Sequence, residues 1–317
     1  MAAPVDERVR GDAGTGTLPT VSVRARVEEA GGFVLRADLL EHVPRAEVDA
    51  ALRSGEIVAD GRGRYATPAT DEAVRSALRL GGVLCLTSAA LHHGWAVKAV
   101  PAQPHVSVPR NRKLSAERRQ GVRVHWRTWA AEDVNGMVTG VEATLLQCLT
   151  QLPFDEALAV ADSALREGVP PSTLRRVAMT ARGPGAPQAR RVAREARPDA
   201  ANPFESVLRA ISLDVPGLRL VPQLLVALPD RDVRPDLVDV DLAILAEADS
   251  FAWHGDRGAL VRDAHRYNQM AVAGWLVLRF SWEQVMLQPE VVRAVLVAAV
   301  GLVQRRAGSA PGGRRTA

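Results

Sequence analysis

The stretch from Arg234 to Gly255, RPDLVDVDLAILAEADSFAWHG, constrains the chain more than any other. Its apolar side chains alternate as in a strand, yet five carboxylates run through it: Asp236, Asp239, Asp241, Glu247 and Asp249. An antiparallel hairpin turning at Asp241 and Leu242 sets residues whose numbers sum to 483 opposite one another, so Asp236 faces Glu247. Residues two apart in a strand share a face, which adds Asp249 to the same side and leaves Ile244, Ala246 and Ala248 for the buried one. Like charges directly opposed destabilise a sheet, so the cluster calls for a compensating cation or for open solvent. Mg²⁺ or Mn²⁺ held by Asp236, Glu247 and Asp249 satisfies the first demand, since hard cations prefer carboxylate oxygens and can activate water beside a phosphoryl group. The second is met if the three acids only decorate the wet face of an amphipathic sheet. Asp239 and Asp241, at the turn, are expected to shape it and stay solvated.

A chain of 317 residues exceeds what one core serves, and its pattern predicts an α+β multidomain protein. Residues 1–20 read as a disordered lead, 21–70 as a winged helix-turn-helix, and 71–182 as an α+β middle domain. A linker or basic helix is expected at 183–202, a carboxy-terminal α/β domain at 203–306 and a basic tail at 307–317. Neither a bilayer-spanning apolar run nor a signal-peptide core is present, so a cytoplasmic protein without a membrane partner is expected. Cys85 and Cys148 stand alone, which excludes a disulfide framework and a zinc finger.

The front of the chain has the shape of a DNA-binding module. VLRADLLEHVPRAEVDAALRSG gives two short helices about a turn at Pro44, Gly55 caps the second, and EIVADGRGRYATP reads as a wing turning at Asp60 and Gly61. Arg36, Arg45, Arg53, Arg62 and Arg64 are the candidate DNA contacts, a helix entering the groove and a wing following the backbone. Glu47 and Asp49 in the recognition helix oppose that reading, and a winged helix used for protein contacts is the alternative. Of 40 basic residues only Lys98 and Lys113 are lysine, and arginine suits bidentate phosphate contacts, although a coding bias gives the same composition. Arg262 and Arg266, one helical turn apart, are further candidates for a phosphate backbone. Arg279 alternates with core residues and is placed to close the acidic site electrostatically.

These motifs occur in a telling order: a helix with Glu205, a strand ending in Asp236, a strand with Glu247-Ala-Asp249, Trp253-His254, a helix with Arg262, Asp263 and Arg266, then GWLVLRFSW. That order resembles a restriction-endonuclase-like PD-(D/E)XK domain, of the branch related to very-short-patch-repair endonucleases. The first part, including LTSAALHHGWAV, HVSVPR and GVRVHW, resembles the AbiEi-type antitoxins behind which such domains are found. The resemblance implies Asp236 and Glu247 as metal ligands, with Asp249 where the general pattern has lysine, and a DNA endonuclease requiring Mg²⁺ or Mn²⁺. Glu205 matches the acidic residue of the first helix, but Asn202, Pro203 and Glu205 fit an N-cap equally well, and capping comes first. Arginine cannot act as a base at neutral pH whereas histidine can, which makes His254 the candidate proton carrier. The missing lysine supports a second function, a non-catalytic antitoxin and transcriptional regulator that holds DNA or a cognate toxin on a retired nuclease fold.

Overall fold

The computed structural model describes residues 22–29, 33–59, 63–68, 72–228, 231–249 and 257–308. The protein is α+β and divides between Arg79 and Leu80 into two compact units.

In the first unit, α1 (Val23–Glu29), β1 (Phe33–Leu35), α2 (Arg36–Leu40), α3 (Arg45–Ser54), β2 (Val58–Ala59) and β3 (Arg64–Ala66) are followed by α4 (Glu72–Leu80), which runs to the boundary. Val27, Leu39, Val48, Ala51, Ile57 and Tyr65 form its core. Gly55 ends α3 with φ 75°, a left-handed cap that side chains disfavour. The sequence predicts two strands after α3; a third joins them, because β1 pairs antiparallel with β3 and gives the order β1-β3-β2. The expected turn at Asp60 and Gly61 lies outside the described residues.

The second unit opens with β4 (Val83–Leu84), α5 (Leu86–His92), β5 (His105–Val108), β6 (Arg123–Trp126), β7 (Val134–Asn135) and β8 (Val138–Thr139), arranged as a sheet of order β6-β5-β4-β8-β7. Thr87 or Ser88 is the expected N-cap of α5, but both lie inside the helix. The cap is Cys85 without a side-chain bond, and Ser88 Oγ instead accepts the His105 N–H at 2.9 Å. Four helices follow: α6 (Val141–Gln151), α7 (Phe154–Arg166), α8 (Pro171–Thr180) and α9 (Ala186–Glu195). Leu145, Leu149, Leu158, Leu174 and Val177 lie at the centre of their common core.

The segment 183–202, expected as a linker or basic helix, is no free linker: α9 buries Ala186, Ala189 and Val192 in that core while Arg190 and Arg194 face outward. Its arginines recur on one side of the helix only, leaving small apolar residues at helical spacing on the other. Next comes α10 (Pro203–Ser212), fastened to α7 by a fully buried pair in which Arg209 donates to Asp162 at 2.7 Å. The residues beyond 203 therefore continue the second unit.

The remainder comprises β9 (Val221–Pro222), β10 (Val226–Ala227), β11 (Asp232–Val233), β12 (Leu237–Asp239), β13 (Ile244–Asp249), α11 (Arg257–Val272), β14 (Leu276–Ser281), α12 (Trp282–Leu287) and α13 (Pro289–Gly308). Ser281 and Gln284 form a capping box at the start of α12. The strand order is β14-β13-β12-β9, with β10 and β11 paired separately. β12 and β13 are antiparallel, with Leu237 opposite Ala246 and Asp239 opposite Ile244, the register expected from the hairpin. β13 and β14 are parallel and are joined through α11. Leu237, Ile244, Ala246 and Phe280 face Phe204, Leu208 and Leu296 of α10 and α13. Val238 and Leu245, on the other face, meet Met270 and Tyr267 of α11. Among the described residues no helix is long and apolar enough to cross a membrane.

Candidate functional site

The hairpin register carries Asp236 to the position opposite Glu247, and Glu247 hydrogen-bonds the Asp236 carboxyl. Asp236 Oδ2 also accepts the Ala248 N–H at 2.8 Å, which ties the carboxyl to the facing strand. Glu247 does not lie on a wet face, being only 5% exposed beneath α11, while Asp236 and Asp249 are half-buried. Two arginines supply the compensation. Arg266 of α11 reaches Glu247 Oε1 at 3.2 Å, and Arg279 of β14 meets Asp249 Oδ2 at 2.6 Å.

Their placement follows from the topology. The parallel register sets Arg279 beside Glu247 and Ser281 beside Asp249, so β14 lines the same face as the acids. The crossover helix then brings Arg266 down onto that face. Tyr267 lies between the two cations, with Arg266 4.7 Å and Arg279 4.2 Å from its ring centre. Its hydroxyl accepts from Arg266 at 2.9 Å. The Arg266 Nε is buried and has no partner among the described residues, which leaves the guanidinium one spare donor.

Desolvation dominates the site's acid-base behaviour. Burial pushes the Glu247 carboxyl up to about 7 against the pull of Arg266, with Asp236 and Asp249 adding to the rise. Asp236 is also raised, first by burial. Burial likewise lifts Glu205, which feels the Asp236 charge. Glu205 is buried at the start of α10, where Asn202 accepts the Glu205 N–H at 3.0 Å and the carboxylate answers by accepting the Ala201 N–H at 3.0 Å. Gln223 connects it to the hairpin: its Nε2 donates to Glu205 at 3.0 Å and its N–H to the Asp236 carbonyl at 2.9 Å. Gln223 adopts φ 55°, a conformation side chains rarely take, and nothing in the sequence marks it out.

Asp239 corrects one expectation. It shapes the turn, accepting Leu242 N–H at 2.9 Å and Arg219 N–H at 2.6 Å, but it is 3% exposed rather than solvated. Asp241 is exposed. His254 lies outside the described residues, as does Arg62. Arg262 is exposed on α11, whereas Arg266, one turn on, is turned inward to Glu247.

In the first unit, Arg36 is half-buried: it donates to the Tyr65 hydroxyl and lies 3.7 Å from Asp49. Arg64 donates to the Leu78 carbonyl at 2.5 Å. Both are engaged in holding the unit together. Arg45 and Arg53 are exposed on α3, and Arg45 lies 3.7 Å from Asp49. The Asp49 charge is thus answered from two sides within the unit.

Carboxylate oxygens suit a hard divalent cation, and an opposed, hydrogen-bonded carboxyl pair such as Asp236 and Glu247 fits one held by two protein ligands. The three-acid set does not fit: among the described residues no group of three His, Cys, Asp or Glu is arranged to hold a metal ion, and Asp249 is turned to Arg279.

No family model and no curated protein matches this chain. Among solved structures it is similar to the RV2827C protein from Mycobacterium tuberculosis, at 19% identity and a TM-score of 0.30, over 60% of this chain and 80% of that one.

Proposed function

We propose that this chain is a DNA-associated protein of AbiEi-type organisation, with an amino-terminal winged helix-turn-helix and a carboxy-terminal endonuclease-like domain that hydrolyses a phosphodiester. The observation that carries this reading is the buried pair of Asp236 and Glu247 with Arg266 and Arg279 beside it. An opposed pair of desolvated carboxyls is costly to keep in a fold for packing alone. The four-stranded sheet with its parallel β13 and β14, the crossover α11 and the acidic α10 supports the same reading.

Mg²⁺ or Mn²⁺, held by Asp236 and Glu247, would supply Lewis-acid chemistry and lower the pKa of a bound water. The chain's own residues do the rest. Arg266 holds Glu247 beside Asp236, Arg279 holds Asp249 in an ion pair, and Gln223 ties Glu205 to the hairpin. A cleft of about 400 Å³ beside Gln223 is lined by Arg234 and by Arg197, the latter paired with Asp199 at 3.0 Å, and leaves Arg234 to meet an anionic strand. His254 is the proton carrier in this proposal. Arg45 and Arg53 are the exposed groups on α3 with which the first unit would meet duplex phosphates.

A specific contact favours a second reading, the non-catalytic antitoxin and regulator. Asp249 stands where lysine is expected and is locked to Arg279 at 2.6 Å, so the position that would orient water is occupied by an ion pair. Incubation of the protein with plasmid DNA and Mg²⁺ or Mn²⁺, beside Asp236→Ala, separates the two. The hydrolytic reading expects cleavage by the wild type and at least a hundredfold loss in the variant. Equal cleavage by both would sink it, and a promoter-specific gel shift without cleavage would establish the regulator.

A further inference from the structure

The outer edge of the five-stranded sheet holds a second charged feature, remote in sequence from the acidic hairpin. β6 is the edge strand and pairs in parallel with β5, so residues 109–122 cross back along the sheet between them. Between 109 and 128 there are seven Lys or Arg and one carboxylate, Glu117. Arg110, Arg119 and Arg123 are exposed there and have no carboxylate partner among the described residues. In a chain whose other arginines are so often paired, this edge is left with a concentrated positive field, which selects an anionic ligand.

The aromatic groups determine which anion. Two clefts, of about 850 and 610 Å³, flank β6 and share Val124 and Trp126 as a common wall. Trp126 is 43% exposed, and its Nε1–H donates to the Arg112 carbonyl at 3.2 Å, which orients the ring. Arg119 stands 5.8 Å from its centre. In the larger cleft Arg127 is stacked 4.2 Å over Trp129, and Trp129 is itself anchored on Ser107 at 2.9 Å. One cation is thus held against Trp129 in the larger cleft, and another stands beside the open face of Trp126 in the smaller.

Uncharged hydrogen-bonding groups complete the larger cleft. His125 is stacked on His105 with ring nitrogens 3.2 Å apart, and burial holds both imidazoles below their usual range. Gln147, 2% exposed, turns Oε1 to the Leu86 N–H at 3.3 Å. A basic groove with a stacking platform and neutral polar walls is the arrangement that takes a strand with unpaired bases, since base-paired nucleotides offer no free π-face.

We propose that the β6 edge binds single-stranded nucleic acid, with a base stacked on Trp126 and the flanking phosphates held by Arg110 and Arg127 in one cleft and by Arg119 in the other. The proposal stands on residues separate from the acidic hairpin and does not depend on hydrolysis there. Fluorescence anisotropy of a labelled oligo-dT strand, measured with the full chain in EDTA, tests it. Trp126→Ala should weaken single-strand binding about tenfold or more and leave binding of a duplex of equal length unchanged. Arg119→Gln should reduce the slope of log affinity against log salt by about 0.7, the share of one phosphate on a single strand. Trp126→Phe, which keeps a stacking face, should retain the affinity that Trp126→Leu loses, a contrast that holds even if removal of the ring costs stability. Equal affinity across the Trp126 variants, no binding of the single strand by the wild type, or dTMP binding as tightly as the oligonucleotide would each overturn the assignment.

Discussion

Arg209 is held with one nitrogen unsatisfied: its Nη2 donates to both oxygens of Asp162 at 2.9 and 2.7 Å, while its Nε is buried without an acceptor. Removing the cation strands a carboxylate that burial already pushes up. Arg209→Met should therefore cost about 3–5 kcal/mol in chemical denaturation, and adding Asp162→Leu should recover a large part of it. A single mutant as stable as the wild type would contradict the account. Such a pair is not visible in the sequence, because positions 162 and 209 become neighbours only when α7 meets α10. Asp236 and Glu247 were legible, since a two-residue period and a turn position suffice to oppose them. The burial of Asp239 was not, because it depends on the N–H of Arg219, on another segment. Both cysteines remain apart from the chemistry: they are buried, and burial pushes the Cys85 thiol up to about 12.

Among the elements, the hairpin, α11 and β14 could be read from apolar periodicity, and the register within the hairpin followed from its turn. The parallel pairing of β5 with β6 could not, because strand direction there is set by the crossover and not by anything in either strand. Of the linker or basic helix expected at 183–202, the helix is present, and its burial escaped the sequence for a related reason. The arginines of α9 dominate its composition, while its buried face is three small residues whose partners lie in α6, α7 and α8. Close approach also decides β4: a Cβ at Gly82 would lie 2.4 Å from the Ser107 carbonyl oxygen of β5. Gly82→Ala should lower stability by about 1–3 kcal/mol, read as a shift of the denaturation midpoint. An unshifted midpoint would mean that the two strands can separate at no cost.

At the scale of the whole molecule, the second unit should lose stability in mild acid. His105 titrates near 4 in the folded chain against an ordinary 6.5, chiefly through burial and then through His125 and Arg123. Between those values the unfolded chain takes up the proton more readily. The imidazole therefore costs nothing above about 6.5, the folded state loses ground as pH falls through the window, and the loss levels off below about 4. His105→Gln should flatten that part of the stability profile relative to the wild type, measured by denaturation between these limits. The sequence predicts an α+β protein of three domains, a winged helix-turn-helix, an α+β middle domain and an α/β domain, and the structure is α+β in two compact units, with residues 80 to 317 sharing one of them. Apolar patterning showed where helices and strands stand but not that α9 and α10 would join what precedes them, since the joining contacts are between distant positions.

The arginines that answer the acidic hairpin come from later in the chain than the acids do. Glu247 leaves the ribosome before Arg266, and Arg279 follows roughly thirty positions after Glu247, a delay on the order of a few seconds at about 5–20 residues per second. During that interval the hairpin holds its carboxylates without their cations. Its burial therefore has to wait until α11 and β14 have been made, and a nascent chain arrested before Arg266 would leave the hairpin open.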